Sequence, residues 1–168
     1  AFDTPTAVLD GPVEPRPAAR TTISHIGTGL TITLFNIHLK CCGETGSNEA
    51  DRREASSIAL QNHINTNLAD ENVIILGDWN DDIDDGPFDN FIADPGFSFA
   101  DENIANGPLS NFSYISTIFI SHLDHILISN ELFDNKVSAE TIKLSSCLTN
   151  YETAVSDHWP VMLTLKKN

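Results

Sequence analysis

Acidic and imidazole side chains in this chain fall at the ends of apolar runs, where loops on a rigid frame can hold chemistry. His38 closes the alternating run that starts at Leu30. Asp78 and Asn80 follow the continuous run Val73-Ile74-Ile75-Leu76-Gly77. Asp124 opens the run ending at Ser129, and Asp157 and His158 stand just ahead of the last one. Carboxylates beside an amide suit a hard divalent cation such as Mg2+ or Mn2+ that keeps several waters. Such a cation neutralises charge developing on phosphoryl oxygens. Imidazole exchanges protons near neutral pH and serves as base or acid. A neighbouring carboxylate fixes its tautomer and stabilises the charged ring. The combination implies metal-assisted displacement at phosphorus.

Those residues need elements that bring distant ends of the chain together. Residues 1–18 read as loop, punctuated by Pro5, Gly11, Pro12, Pro15 and Pro17. Arg20 to Ile26 and Leu30 to His38 read as strands joined by Gly27-Thr28-Gly29, a hairpin signal. A helix is expected from the N-cap candidate Asn48 to about Leu68, with Leu60, Ile64 and Leu68 along its apolar stripe. Residues 72–77 read as a strand buried on both faces. An acidic loop from Asp78 to Gly86 follows, then one or two helical turns over Phe88 to Ile92. Further strands are expected at His122–Ser129, Val137–Leu144 and Trp159–Leu165. This order reads as α/β or α+β, a mixed sheet with the long helix on one face. If the first two of the site-bearing strands run opposite to the later ones, all the polar residues above meet at one rim.

The runs Asn36-Ile37-His38-Leu39, Gly77-Asp78-Trp79-Asn80, Leu123-Asp124-His125-Ile126 and Ser156-Asp157-His158-Trp159-Pro160 resemble four ordered motifs of the endonuclease/exonuclease/phosphatase superfamily, the DNase I-like fold. Arg16-Pro17 and the helix opening Asp51-Arg52-Arg53-Glu54-Ala55 resemble two further family features. The resemblance implies a metal-dependent phosphodiester hydrolase, an endonuclease or exonuclease acting on nucleic acid. A lipid or inositol phosphodiesterase or phosphatase is the alternative within the superfamily. By residue, it implies that His38 contacts the scissile phosphate and protonates the leaving oxygen. Asp78 and Asn80 would place the attacking water and the phosphate and could hold a metal. Asp124 would orient the catalytic imidazole of His158, Asp157 would be a metal ligand, and Arg16 a phosphate contact. The fold implied is half of a two-sheet αββα sandwich, with residues 1–168 forming its C-terminal half as a single domain. The family's early Asn and metal-binding Glu have no counterpart here. That leaves open an inactive half, or one completed by a complementary chain or dimer partner on its open sheet face. His38-Leu39-Lys40-Cys41-Cys42-Gly43 looks most like secreted bacterial members, which implies a secreted or periplasmic protein.

Composition bounds these readings. The chain has 168 residues, enough for one domain that buries roughly 70% of its unfolded surface. Its net charge of −15 argues against a general nucleic-acid coating protein, which needs clustered Lys and Arg. An enzyme that brings its own cations escapes that exclusion. Arg16, Arg20 and Lys40 are the basic residues expected near the site edge, whereas Arg52 and Arg53 read as a solvated helix face. No apolar run approaches the ~18 residues of a membrane span. The cysteines, Cys41, Cys42 and Cys147, read either as inert thiols or as one vicinal Cys reaching Cys147. The acidic run from Asp78 departs from a calcium loop, because Ile83 stands where that loop needs Gly. His25, His63 and His122 belong to no motif and read as surface or packing residues.

Overall fold

A computed structural model describes residues 18–42, 48–116 and 119–166. A five-stranded sheet forms its centre, built from β1 (Ala19–Ser24), β2 (Thr31–His38), β3 (Val73–Asp78), β4 (Phe97–Phe99) and β7 (Asp124–Ser129) in the order β1-β2-β3-β7-β4. β1 and β2 are the expected hairpin. β2 and β3 run parallel, and β7 runs antiparallel to both β3 and β4. The parallel pair needs a crossover, and α1 (Glu49–Asn67) supplies it. Asn48 precedes that helix but makes no side-chain capping bond; its carbonyl accepts the Arg52 N–H instead.

Side-chain alternation sorts the central strands into two faces. Phe35 and Ile37 of β2, Val73 and Ile75 of β3 and Leu127 of β7 pack under α1, against Leu60, Ile64 and Leu68. Trp79, Phe88, Phe91, Phe97 and Phe99 complete that layer. Residues one position out of phase, Ile32, Ile74, Ile126 and Ile128, face the other side. There the structure departs from a single sheet with one covered face. The last expected strand leaves the central sheet and pairs as β9 (Val161–Leu165) with β8 (Lys136–Thr141). This hairpin lays Val161, Leu163 and Leu165 on the second face, while Leu30, Leu34 and Leu76 stay half-buried beside it. A short pair, β5 (Tyr114–Ile115) and β6 (Ile120–Ser121), forms in the stretch that the sequence left unassigned.

Gly77 is required by the parallel pairing. Its φ of +132° and a hypothetical Cβ running into the Ile37 carbonyl both exclude a side chain. β3 therefore approaches β2 closely just before the site begins.

Candidate active site

Register assembles the first half of the site. His38 lies opposite Asp78 across the parallel pair, and Asp78 lies opposite Asp124 across the antiparallel pair. All three ends share one rim and one face, as the opposed strand directions require. His38 Nε2 is 3.4 Å from Asp78 Oδ2, and the histidine side chain is half exposed. Asn80 adopts the left-handed conformation at φ 57°, and its N–H donates to Asp78 Oδ1 at 2.9 Å. Its side-chain Nδ2 donates to the Leu39 carbonyl at 3.0 Å. The turn thus carries Asn80 back over the end of β2, beside His38.

His158 arrives from outside the central sheet, through backbone stitching. Ser113 Oγ accepts the N–H groups of Leu123 and Asp124, each at 3.1 Å. The Ser113 carbonyl accepts Trp159 N–H at 2.7 Å, and Ile115 N–H donates to the Asp157 carbonyl at 2.8 Å. The buried Ser113 segment therefore ties the start of β7 to residues 157–159. His158 Nδ1 then lies 2.6 Å from Asp124 Oδ2, with both side chains about one-quarter exposed. The Asp124 hydrogen bond, outweighing partial burial, holds the His158 pKa above its ordinary 6.5. Because Asp124 engages Nδ1, Nε2 is the nitrogen that can exchange a proton with a substrate.

The predicted residues His38, Asp78, Asn80, Asp157 and His158 line one cleft of about 560 Å³. Asp124 sits behind His158, and Arg16 lies outside the described residues. Carboxylates dominate the cleft, since Asp81, Asp82 and Asp85 line it too. Burial, then the charge of Asp124, raises the Asp78 pKa. That crowding of negative charge fits a divalent cation, and Asp78, Asn80 and Asp157 are oxygen-bearing residues of the cleft that could hold one.

Several expectations need correcting. Arg53 is buried rather than solvated: its Nε and Nη2 donate to Asp81 Oδ2 at 3.0 and 2.7 Å, and Nη1 donates to the Lys40 carbonyl. Its position was readable, because it shares the helical stripe with Ser57, Leu60 and Ile64. Arg53 lines the cleft, whereas Arg20 and Lys40 do not. Cys41 pairs with Cys42 instead of reaching Cys147, which is free and exposed. Ile83 is core, so the acidic turn closes on an apolar anchor. His122 is fully buried with His125 against Asp101, a cluster that motif reading passed over. Tyr114 was also missed; its ring centroid lies 5.0 Å from that of His158.

The model of the Endonuclease/Exonuclease/phosphatase family matches residues 15–158. The chain belongs to this family. Its fold is that of solved family structures. An endonuclease/exonuclease/phosphatase from Bacteroides vulgatus aligns with a TM-score of 0.67 and 17% identity, over 91% of this chain and 56% of that one. The human Nocturnin catalytic domain with bound sulfate gives 0.64 and 23%, over 90% and 53%. A 3′ phosphatase from Neisseria bound to a product DNA hairpin gives 0.71 and 17%, over 99% and 70%. The chain thus spans little more than half the length of the first two. No curated protein sequence matches it. Among the described residues no helix is long and apolar enough to cross a membrane.

Proposed function

We propose that this family member is a Mg2+- or Mn2+-dependent phosphodiester hydrolase acting on nucleic acid. The observation that carries the proposal is the Asp124–His158 pair at 2.6 Å, whose His158 lines the same cleft as Asp78, Asn80 and His38. Asp124 holds His158 in the tautomer that leaves Nε2 free to take a proton from the attacking water. Asp78 and Asn80 position that water against phosphorus, and His38 gives a proton to the departing oxygen. A cation bound by Asp78, Asn80 and Asp157 would neutralise charge on the phosphoryl oxygens. Each turnover breaks one P–O ester bond and adds water across it. The paired Cys41 and Cys42 support the further proposal of a secreted or periplasmic location.

A second reading, hydrolysis of a small phosphate ester, is favoured by the acidic cleft and the net charge of −15. A similar solved structure named as a mannosyl-6-phosphatase adds to it. A third, dependence on a complementary chain, is favoured by the half-buried Leu30, Leu34 and Leu76. The test is hydrolysis of single- and double-stranded DNA and RNA against sugar and lipid phosphates, with Mg2+ or Mn2+ and after chelation. Metal-dependent release of nucleotides or fragments supports the nuclease. Release of phosphate from small esters alone selects the second reading. Calorimetry that finds neither cation bound, with no turnover, overturns the first two.

A further inference from the structure

A second Asp–His arrangement lies under the site, on the opposite face of β7. Asp101, His122 and His125 are each fully buried. Asp101 Oδ2 lies 2.8 Å from His122 Nε2 and 2.7 Å from His125 Nδ1, and Oδ1 accepts the Ile126 N–H at 2.7 Å. The other ring nitrogen of His125, Nε2, lies 3.0 Å from the Asp81 carbonyl. Asp101 takes hydrogen bonds on both oxygens and its pKa is held below the ordinary carboxylate value, so it is ionised and accepts only; with the carbonyl on the other side, both His125 nitrogens carry protons. The main chain of the same residue accepts the Trp79 indole N–H at 3.2 Å. Residue 125 therefore grips the turn on both sides of Asn80, at Trp79 and at Asp81.

We infer that His125 is a buried imidazolium, paired with Asp101, that acts as the positioning residue for the Asp78-to-Asp81 turn. Its donation to the Asp81 carbonyl holds the left-handed turn that aims Asn80 at Leu39 and sets the Asp81 carboxylate on Arg53. His122 supplies the second hydrogen bond that keeps Asp101 anionic. Two carboxylates act on the His125 ring by charge, Asp101 after β4 and Asp124 from the opposite face of β7; the uncharged Asp81 carbonyl after β3 meets its Nε2, and the His122 ring packs edge-on at 4.7 Å. Burial opposes the ring's charge, but the Asp101 hydrogen bond and charge outweigh it and hold the His125 pKa up. The same donor atoms lie within 4.8 Å of one another, a spacing that invites comparison with a metal site. Hydrogen-bond contacts of 2.7 and 2.8 Å are tighter than the about 3.3 Å between neighbouring ligands of tetrahedral zinc. Hydrogen bonding already satisfies both His125 nitrogens, so the structure favours protons over a metal.

The catalytic consequence rests on the hydrolase reading; the charge state does not. Nitrogen-15 NMR of histidine-labelled protein at pH 8 is expected to show one ring with both nitrogens protonated, absent in His125→Gln. A His125 ring carrying a single proton overturns the inference, and so does one equivalent of bound transition metal that His122→Ala removes. In His125→Gln and Asp101→Asn, kcat is expected to fall about 10- to 100-fold with KM little changed, while His25→Gln matches wild type. Unchanged kcat in both variants, with the imidazolium confirmed, overturns the positioning role. If the wild-type chain hydrolyses no phosphate ester, the hydrolase reading fails alone. The Asn80 amide and Trp79 indole resonances then decide, because positioning requires both to shift in His125→Gln. If that variant does not fold, the wild-type spectrum still decides the charge, and Asp101→Asn takes over the kinetic and resonance readings.

Discussion

Asp124 and His125 are neighbours in sequence, yet each belongs to a different Asp–His arrangement. Asp124 meets His158 at the rim, where both side chains are about one-quarter exposed. His125 meets Asp101 beneath it, where neither is exposed. Strand alternation sends adjacent side chains to opposite faces, so one residue meets His158 behind the cleft and the next enters the core. The chemistry is the same and the solvation is not. At the rim, water and substrate can trade protons with the imidazole. In the core, a charge persists only while its partner remains, because leaving it unpaired costs several kcal/mol.

Removing the rim imidazole gives the largest expected effect on activity. His158→Ala should lower kcat about 10²- to 10⁴-fold and change unfolding free energy by less than about 1 kcal/mol. Steady-state kinetics and urea unfolding check it, and full metal-dependent activity would sink the mechanism. Removing the core carboxylate should weigh more on stability and less on activity. Asp101→Ala is expected to cost about 3–5 kcal/mol of stability, since it strands the His125 charge. A loss under about 1 kcal/mol in the same unfolding assay would erase the contrast.

The pH dependence of stability sharpens it further. The two histidine hydrogen bonds outweigh burial and hold Asp101 below its ordinary 3.8, so its contribution is present above that value and lost as pH falls through the folded one. His125 is held above 6.5, so its contribution is present below 6.5 and lost as pH rises through its folded value. Stability from this pair should therefore peak between 3.8 and 6.5 and fall on both flanks. Asp101→Asn should flatten both, as read by unfolding at a series of pH values. The smallest effect is expected at the rim. His158 acting as a base must lose its proton, so activity should rise with pH through a value above 6.5. Asp124→Asn removes the main cause of that elevation and should move the rise to lower pH. A pH–rate profile in the variant that superimposes on wild type would show that Asp124 does not tune His158.

Much of the site was legible because its residues sit at strand ends within ordered motifs. His38, Asp78 and Asn80 needed only strand direction to be brought together. The Asp101–His122–His125 cluster was not legible, since Asp101 follows a three-residue strand in a turn-rich stretch and belongs to no motif. Arg53 was misread although its stripe was visible, because a charged residue on a helix is usually solvated. Its burial depends on Asp81 arriving from a different loop to neutralise it. The Cys41–Cys42 pairing was not among the sequence readings, inert thiols or a link to Cys147; the backbone places Cys147 on an exposed turn elsewhere.

The sequence by itself determined the alternating strands, the helical stripe and the identity of the cleft residues, because periodicity and motif order are local properties of the chain. The resemblance implied that Asp124 would orient His158, and tertiary structure supplies the means, the register of β7 and the Ser113 stitch that carries residues 157–159 to the rim. Tertiary structure alone decided that Asp101 meets His122 and His125, because that pairing depends on register and burial, neither of which is local. Burial also separates a histidine that can exchange protons with substrate from one that must keep its charge.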